Sequence, residues 1–181
     1  MRCAIAGASA LPEGVRADFQ SLTGIPLLEG YGLTEAACAS ARGYLEACRP
    51  GSVGQRMPYR RIRIADVEAA PGIQPADLGV GEVGAVHISG PTVFPGYVQG
   101  RDDHGYRIDS QGKVIDGWLD TGDLGCLDAD GFLYLTGRAK HLIIRGGHNI
   151  DPWAIEDALL CHPAVTGAQA VGQRARCRWR T

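Results

Sequence analysis

The chain has 181 residues, 45% apolar and 21% charged, the composition of a soluble globular protein large enough for one ordinary core. Its net charge of −2 argues against nucleic acid as a partner of the whole chain, and no run approaches the ~18 apolar residues of a membrane span. Glycine, at 26 of 181 residues, is about twice its usual share of roughly 7%. With no G-X-Y period, these glycines read as turns between many short strands and as points of close backbone approach to a ligand.

Charge is uneven along the chain. Residues 174–181 carry four arginines and no acid; without them 14 basic residues face 20 acidic ones, a net charge of −6. Six cysteines (3, 38, 48, 126, 161 and 177) show no C-x-x-C pair and no histidine at finger spacing. They read as small buried apolar residues of a reducing compartment. The opening M-R-C-A-I-A-G-A-S-A is too short and too interrupted for a signal peptide, so the expected location is cytoplasmic.

Cys3 to Gly7 is a short apolar run, read as a buried strand. Pro12 suits the first turn of a helix, Val15, Phe19 and Leu22 share its apolar face, and Gly24 stops it. Ile25 to Leu28 is a second strand, followed at once by Gly30-Tyr31-Gly32-Leu33-Thr34-Glu35. Strand, helix and strand of these lengths predict a βαβ unit, whose ligands collect beyond the carboxyl ends of the strands.

From Arg49 the pattern changes. The alternation over 60–67 and the run Gly84 to Ser89 predict strands, with a Pro/Gly-rich linker over 69–81 between them. Asp102 to Gly105 and Asp109 to Gly112 are loop tips. Asp128-Ala129-Asp130-Gly131 separates L-G-C-L from F-L-Y-L and reads as a hairpin turn. A calcium loop is excluded there, because Cys126 and Gly137 would stand at its first and twelfth positions. Leu142 to Ile144 is a further strand, and Asp151-Pro152 begins a helix whose apolar face is Ile155, Ala158 and Leu159 and which ends by Pro163. Val165 to Val171 could begin another strand. Lys113 and the five histidines have no partner at ligand spacing and read as surface or core groups.

Tyr31-Gly32-Leu33-Thr34-Glu35, Asp120-Thr121-Gly122-Asp123, Gly137-Arg138-Ala139-Lys140 and Gly7-Ala8-Ser9 stand in an order and spacing that resemble the adenylate-forming (AMP-binding) acyl-CoA synthetase superfamily. The likeness runs from about Met1 to Gln173, and R-G-G-H-N-I-D-P is similar to bacterial fatty-acyl-CoA ligases. The resemblance implies ATP or AMP, magnesium and coenzyme A as ligands, and a carboxylic acid as the acyl donor. It implies that Gly7, Ala8 and Ser9 lie against adenine and the acyl pocket, that Tyr31, next to Gly32, stacks on adenine, that Asp123 grips both ribose hydroxyls and that Arg138 is a second ribose and phosphate contact. It gives Thr34 to phosphate and Glu35 to magnesium as the catalytic pair, Lys140 to the hinge, and Gly146-Gly147 to the approach of coenzyme A. Those residue types suit the chemistry, since a carboxylate attacking an anionic α-phosphate needs cationic donors and a metal.

The expected fold is α/β. Residues 1–139 would be the C-terminal part of a large AMP-binding domain, with a βαβ part over 1–48 and a β-rich subdomain over 49–139. Residues 140–173 would begin a small α+β lid domain, and 174–181 would be an unrelated basic tail. The family's phosphate loop and its catalytic lysine have no counterpart here, so the chain alone is expected to be inactive. Two alternatives stand beside that expectation: a residual adenine-nucleotide-binding module, and a basic-tailed accessory of nucleic acid or membrane.

Overall fold

A computed structural model describes residues 1–67, 75–141, 143–145, 148–150 and 152–173. The expectations for Gly146, Gly147, Asp151, the tail and the first part of the 69–81 linker lie outside the described residues. Two compact units result, Met1–Thr136 and Gly137–Thr181. Among the described residues no helix is long and apolar enough to cross a membrane.

The first unit opens with the expected βαβ. Strand β1 (Ala4–Ala6) runs parallel to β2 (Leu27–Tyr31), with Ala4 opposite Leu27, and helix α1 (Glu13–Thr23) connects them. Pro12 precedes the helix, and the Gly24 N–H closes it on the Gln20 carbonyl. The expected apolar face is not buried, however: Val15 is 53% and Leu22 86% exposed. Arg16 turns inward instead, 5% exposed, to pair with the Glu29 carboxylate of β2. A buried carboxylate needs a counter-ion, and α1 is rotated to provide it. Burial still holds the Glu29 carboxyl above its ordinary range, with Arg16 opposing the shift.

Strand β2 carries on through β3 (Ala41–Arg42) and β4 (Gln55–Arg56), both antiparallel, to give a sheet of order β1-β2-β3-β4. A second sheet is built from β5 (Arg61–Ala65) and β6 (Gly84–Ser89). Then follow the hairpin of β7 (Tyr97–Asp102) and β8 (Gly105–Asp109), the short β9 (Val114–Ile115), β10 (Trp118–Leu127) and β11 (Leu133–Arg138). The order in the second sheet is β11-β10-β6-β5, with β9 beside β10.

Alternation along β5, β6 and β10 sends Ile62, Ile64, Val86, Ile88 and Leu119 to one face, and Arg61, Arg63, His87 and Trp118 to the other. The first set packs with Tyr31, Ala36, Ala41, Val53 and Leu133 into one core shared by both sheets. Val53 N–H donates to the Leu133 carbonyl and Leu133 N–H to that of Gly54, so β11 is also tied to the β4 side.

The Asp128–Gly131 turn forms as its sequence predicts. Asp128 Oδ1 accepts the N–H groups of Asp130 and Phe132, while Arg49 pairs with Asp128 and Asp130. The cysteines depart from expectation: Cys38, Cys48 and Cys161 are exposed, Cys3 and Cys126 only partly covered. Cys38 shows why, since it sits at φ 67° in a surface turn where a small side chain fits but does not pack.

In the second unit a 3-10 turn at Ala139–His141 leads to the antiparallel pair β12 (Ile143–Arg145) and β13 (His148–Ile150), then to helix α2 (Pro152–Leu160). The Ala170 N–H donates to Glu156 Oε1 at 2.9 Å. Ile155 and Leu159 are 41% and 49% exposed, so the predicted apolar face of α2 lacks a full cover among the described residues. Residues 165–171 form no strand, because no described strand lies alongside to pair with them.

Candidate nucleotide and metal site

The pivotal geometry begins in β10. Its pairing with β6 shifts register between Asp120 and Leu124, where Thr121 Oγ1 donates to the Val86 carbonyl at 2.8 Å. The Gly122 N–H donates to Asp120 Oδ1 at 2.9 Å, and the Asp123 N–H to Thr121 Oγ1 at 3.1 Å. Gly122 stands at φ 73°, a conformation that glycine adopts without steric cost. The result is a bulge that re-aims one side chain. That side chain is Asp123: it is 7% exposed, and its Oδ2 accepts the Tyr31 hydroxyl at 2.6 Å from 92 residues away.

Tyr31 ends β2. After it the chain closes a tight loop, with Ser40 N–H donating to the Tyr31 carbonyl at 2.7 Å and a 3-10 turn at Thr34–Ala36. Gly32 is required by close approach, since a Cβ there would lie 1.4 Å from the Cys38 carbonyl oxygen. Thr34 is exposed on this turn. The Tyr31 ring, 9% exposed, is part of the core, so little of its surface is open to a ligand.

Glu35 is held from two sides. Its carbonyl accepts the Phe94 N–H at 2.8 Å, and its Oε1 accepts the Tyr97 hydroxyl at 2.6 Å. Phe94 and Tyr97 brace each other edge to face, with centroids 4.8 Å apart. Lys113 donates to the Tyr97 hydroxyl at 2.8 Å, and its Nζ is 3.6 Å from Glu35 Oε1. The Tyr97 hydrogen bond first, then backbone donation and the Lys113 charge, hold the Glu35 carboxyl below its ordinary range. The same tyrosine, followed by the charges around it, holds the Lys113 ammonium above its own.

A depressed acid contributes stability that is present above its unfolded pKa and lost as pH falls through the folded one. Replacing Tyr97 with Phe should therefore move the Glu35 carboxyl titration, followed by carbon-13 NMR, up toward the ordinary glutamate range. An unchanged midpoint would remove the hydroxyl as the main cause.

Three further residues position this loop, and the sequence marked none of them as a site residue. Arg60, 7% exposed, donates to the Ala36 carbonyl and, at 3.3 Å, to Ser40 Oγ. Burial draws its guanidinium below the ordinary arginine range, yet its donors fix both ends of the loop. Arg60→Met should cost about 2 kcal/mol in urea denaturation by leaving the Ala36 carbonyl buried without that donor. Tyr97 is the second, and with it Lys113, which the sequence left among surface or core groups. The only signal for Arg60 was its place at the head of an alternating strand.

Gly7, Ala8 and Ser9 leave β1 beside β2: a Cβ on Gly7 would stand 3.0 Å from the Gly30 carbonyl oxygen. Both glycine-bearing loops thus lie at the carboxyl ends of a parallel pair, as ligand sites of such sheets do. Arg138 and Lys140, exposed at the end of β11 and in the 3-10 turn, belong to the second unit.

The residues present suit a magnesium ion held mainly by substrate. Among the described residues no group of three His, Cys, Asp or Glu side chains could enclose a metal. Glu35 offers a single ionised oxygen donor with one oxygen engaged by Tyr97. Magnesium accepts such a donor, since it takes one or two carboxylates and completes its shell with phosphates and waters.

The βαβ end and the sheets behind it match part of the adenylate-forming enzyme fold. Residues 1–98 match the family described as AMP-binding enzyme, and the chain belongs to that family. It is 45% identical over 168 residues to marinolic acid–CoA ligase of Pseudoalteromonas sp. (strain SANK 73390), covering 92% of this chain and 25% of that protein. It is 34% identical over 166 residues to long-chain-fatty-acid–CoA ligase of Bacillus subtilis (strain 168), covering 91% and 28%. Among solved structures, o-succinylbenzoate coenzyme A synthetase of Bacillus subtilis, in complex with ATP and magnesium ion, superposes with a TM-score of 0.80 at 30% identity. That match covers 97% of this chain and 34% of the other. The chain therefore spans about a quarter to a third of the length of these relatives.

Proposed function

We propose that this polypeptide supplies the adenosine-binding and metal-binding portion of an AMP-forming acid–CoA ligase. The overall reaction is carboxylic acid, ATP and coenzyme A giving acyl-CoA, AMP and pyrophosphate. The observation that carries this reading is the buried Tyr31–Asp123 hydrogen bond, which joins two of the motifs that the resemblance assigns to the nucleotide. The bond sets the Asp123 carboxylate, a group that makes strong charge-assisted hydrogen bonds with hydroxyls such as those of a ribose, beside Tyr31.

In this reading Gly7, Ala8, Ser9 and Gly32 let backbone approach the nucleoside, and Tyr31 sets one wall. Thr34 lies on the phosphate side. Glu35 takes the magnesium ion, which when bound neutralises phosphate charge and polarises the α-phosphorus toward attack. Arg138 contributes a second ribose contact, Lys140 the hinge of the lid, and Gly146-Gly147 the coenzyme A path. Residues 1–139 act as part of the large domain and 140–173 as part of the lid.

The 181 residues contain two lysines, 113 and 140, and neither stands where the family has its phosphate-loop lysine or its late catalytic lysine. Loss of one transition-state donor costs ~10²–10³ in rate. The chain alone is accordingly expected to bind adenine nucleotide without adenylating an acid. Carboxylate-dependent ATP–pyrophosphate exchange and AMP calorimetry on the 181-residue chain test the two halves separately. Exchange above background overturns the inactivity, and absence of AMP heat overturns the binding.

A further inference from the structure

We infer that Lys113 is a second cation for the nucleotide's polyphosphate, fixed beside Glu35 through Tyr97. The inference rests on the reading of Glu35 as the metal-binding carboxylate and adds a residue that the sequence motifs do not contain.

An exposed Lys–Glu pair taken alone is worth little, because solvent screens it and holding two side chains in place costs entropy. This lysine is held differently. The hairpin of β7 and β8 and the turn before β9 bring it to Tyr97, where its Nζ donates to the hydroxyl at 2.8 Å. That tyrosine is itself fixed by Phe94 at 4.8 Å and by its own donation to Glu35 Oε1 at 2.6 Å. The Phe94 N–H bond to the Glu35 carbonyl ties the same segment to the 3-10 turn. Lys113, Tyr97 and Glu35 therefore form one relay.

The ammonium carries three donors and contacts two oxygens, those of Tyr97 and Glu35, among the described residues. Its side chain is 44% exposed, so it has an open side. Where a glutamate presents a divalent ion to phosphates, an ammonium 3.6 Å from that glutamate lies within reach of the same phosphates. A strongly hydrated point charge on a flexible stem suits a phosphate oxygen. Such a cation supports polyphosphate binding when the divalent ion is scarce. It has nothing to grip on AMP, whose single phosphate lies on the adenosine side.

The test is calorimetry of ATP and AMP with the 181-residue chain, its Lys113→Met and Lys113→Arg variants, and Glu35→Gln, each in EDTA and in excess magnesium. In EDTA, Lys113→Met should weaken ATP about 10-fold, the loss of one charge-assisted hydrogen bond, and leave AMP unchanged. Lys113→Arg should restore most of the ATP affinity, and magnesium should narrow the gap. Equal losses for ATP and AMP would reduce Lys113 to a brace of the fold, and an unchanged ATP affinity would overturn the inference outright. If magnesium strengthens ATP binding equally in the parent and in Glu35→Gln, it is the reading of Glu35 that fails. A magnesium effect lost in Glu35→Gln beside a silent Lys113 would confine the failure to Lys113.

Discussion

Asp123→Ala should abolish measurable AMP binding, a loss of about 100-fold or more in calorimetry. Two charge-assisted hydrogen bonds to a ribose diol at about 1.5 kcal/mol each are enough for that factor. The substitution has a second effect, because it strips the Tyr31 hydroxyl of the acceptor it meets at 2.6 Å in a site where both residues are less than 10% exposed. Losing that hydrogen bond should lower stability by about 1–3 kcal/mol. Tyr31→Phe separates the two. It removes the donor, leaves the carboxylate, and should keep AMP within about threefold of the parent, since the lost bond is not made to the ligand. The double variant should recover part of the stability lost in Asp123→Ala and none of the binding. AMP affinity in Asp123→Ala within threefold of the parent would sink the ribose assignment.

The legible parts of the fold are those whose determinants are local. Pro12 and Gly24 bracket α1, the alternation over 60–67 contains β5, and Asp128 to Gly131 makes its turn with its own side chain. These follow from propensity, period and turn chemistry within a few residues. The rotation of α1 was not legible in the same way. Its spacing put Val15 and Leu22 inside, but the Glu29 carboxylate from another element draws Arg16 in and turns that face outward.

The same division runs through the candidate site. Asp120 to Asp123 could be read as a motif, but not the bulge that aims Asp123 at Tyr31, since that depends on the register against β6. Arg60, Tyr97 and Lys113 carry no motif and reach the Thr34–Ala36 turn from distant strands and hairpins. Residues that touch a ligand leave short patterns in sequence. Residues that hold those in place leave only a hydrophobic or charged alternation, and contacts between distant segments are needed to find them.

Gly32→Ala should be the most damaging single-methyl change in this region. The added Cβ would fall 1.4 Å from the Cys38 carbonyl oxygen, 2.4 Å from its carbon and 2.8 Å from Ala39 Cα, all backbone atoms. A flexible side chain could swing aside, but backbone must move as a segment, and this one is fastened at several points. Ser40 N–H is bonded to Tyr31, Cys38 N–H to Leu33, and Arg60 grips the Ala36 carbonyl. Relief of the overlap therefore displaces the turn that carries Thr34 and Glu35, at about 3 kcal/mol or more by the measure of overpacked cores. Urea denaturation should show that loss, and the low Glu35 carboxyl titration should rise as Tyr97 loses its acceptor. Gly14→Ala is the control, because a Cβ there meets nothing within 4 Å and alanine favours the helix by about 1 kcal/mol. Should Gly32→Ala match the parent in both stability and Glu35 titration, the close crossing of Cys38 over Gly32 is not a feature of the folded chain. The two motifs would then need another reason to meet.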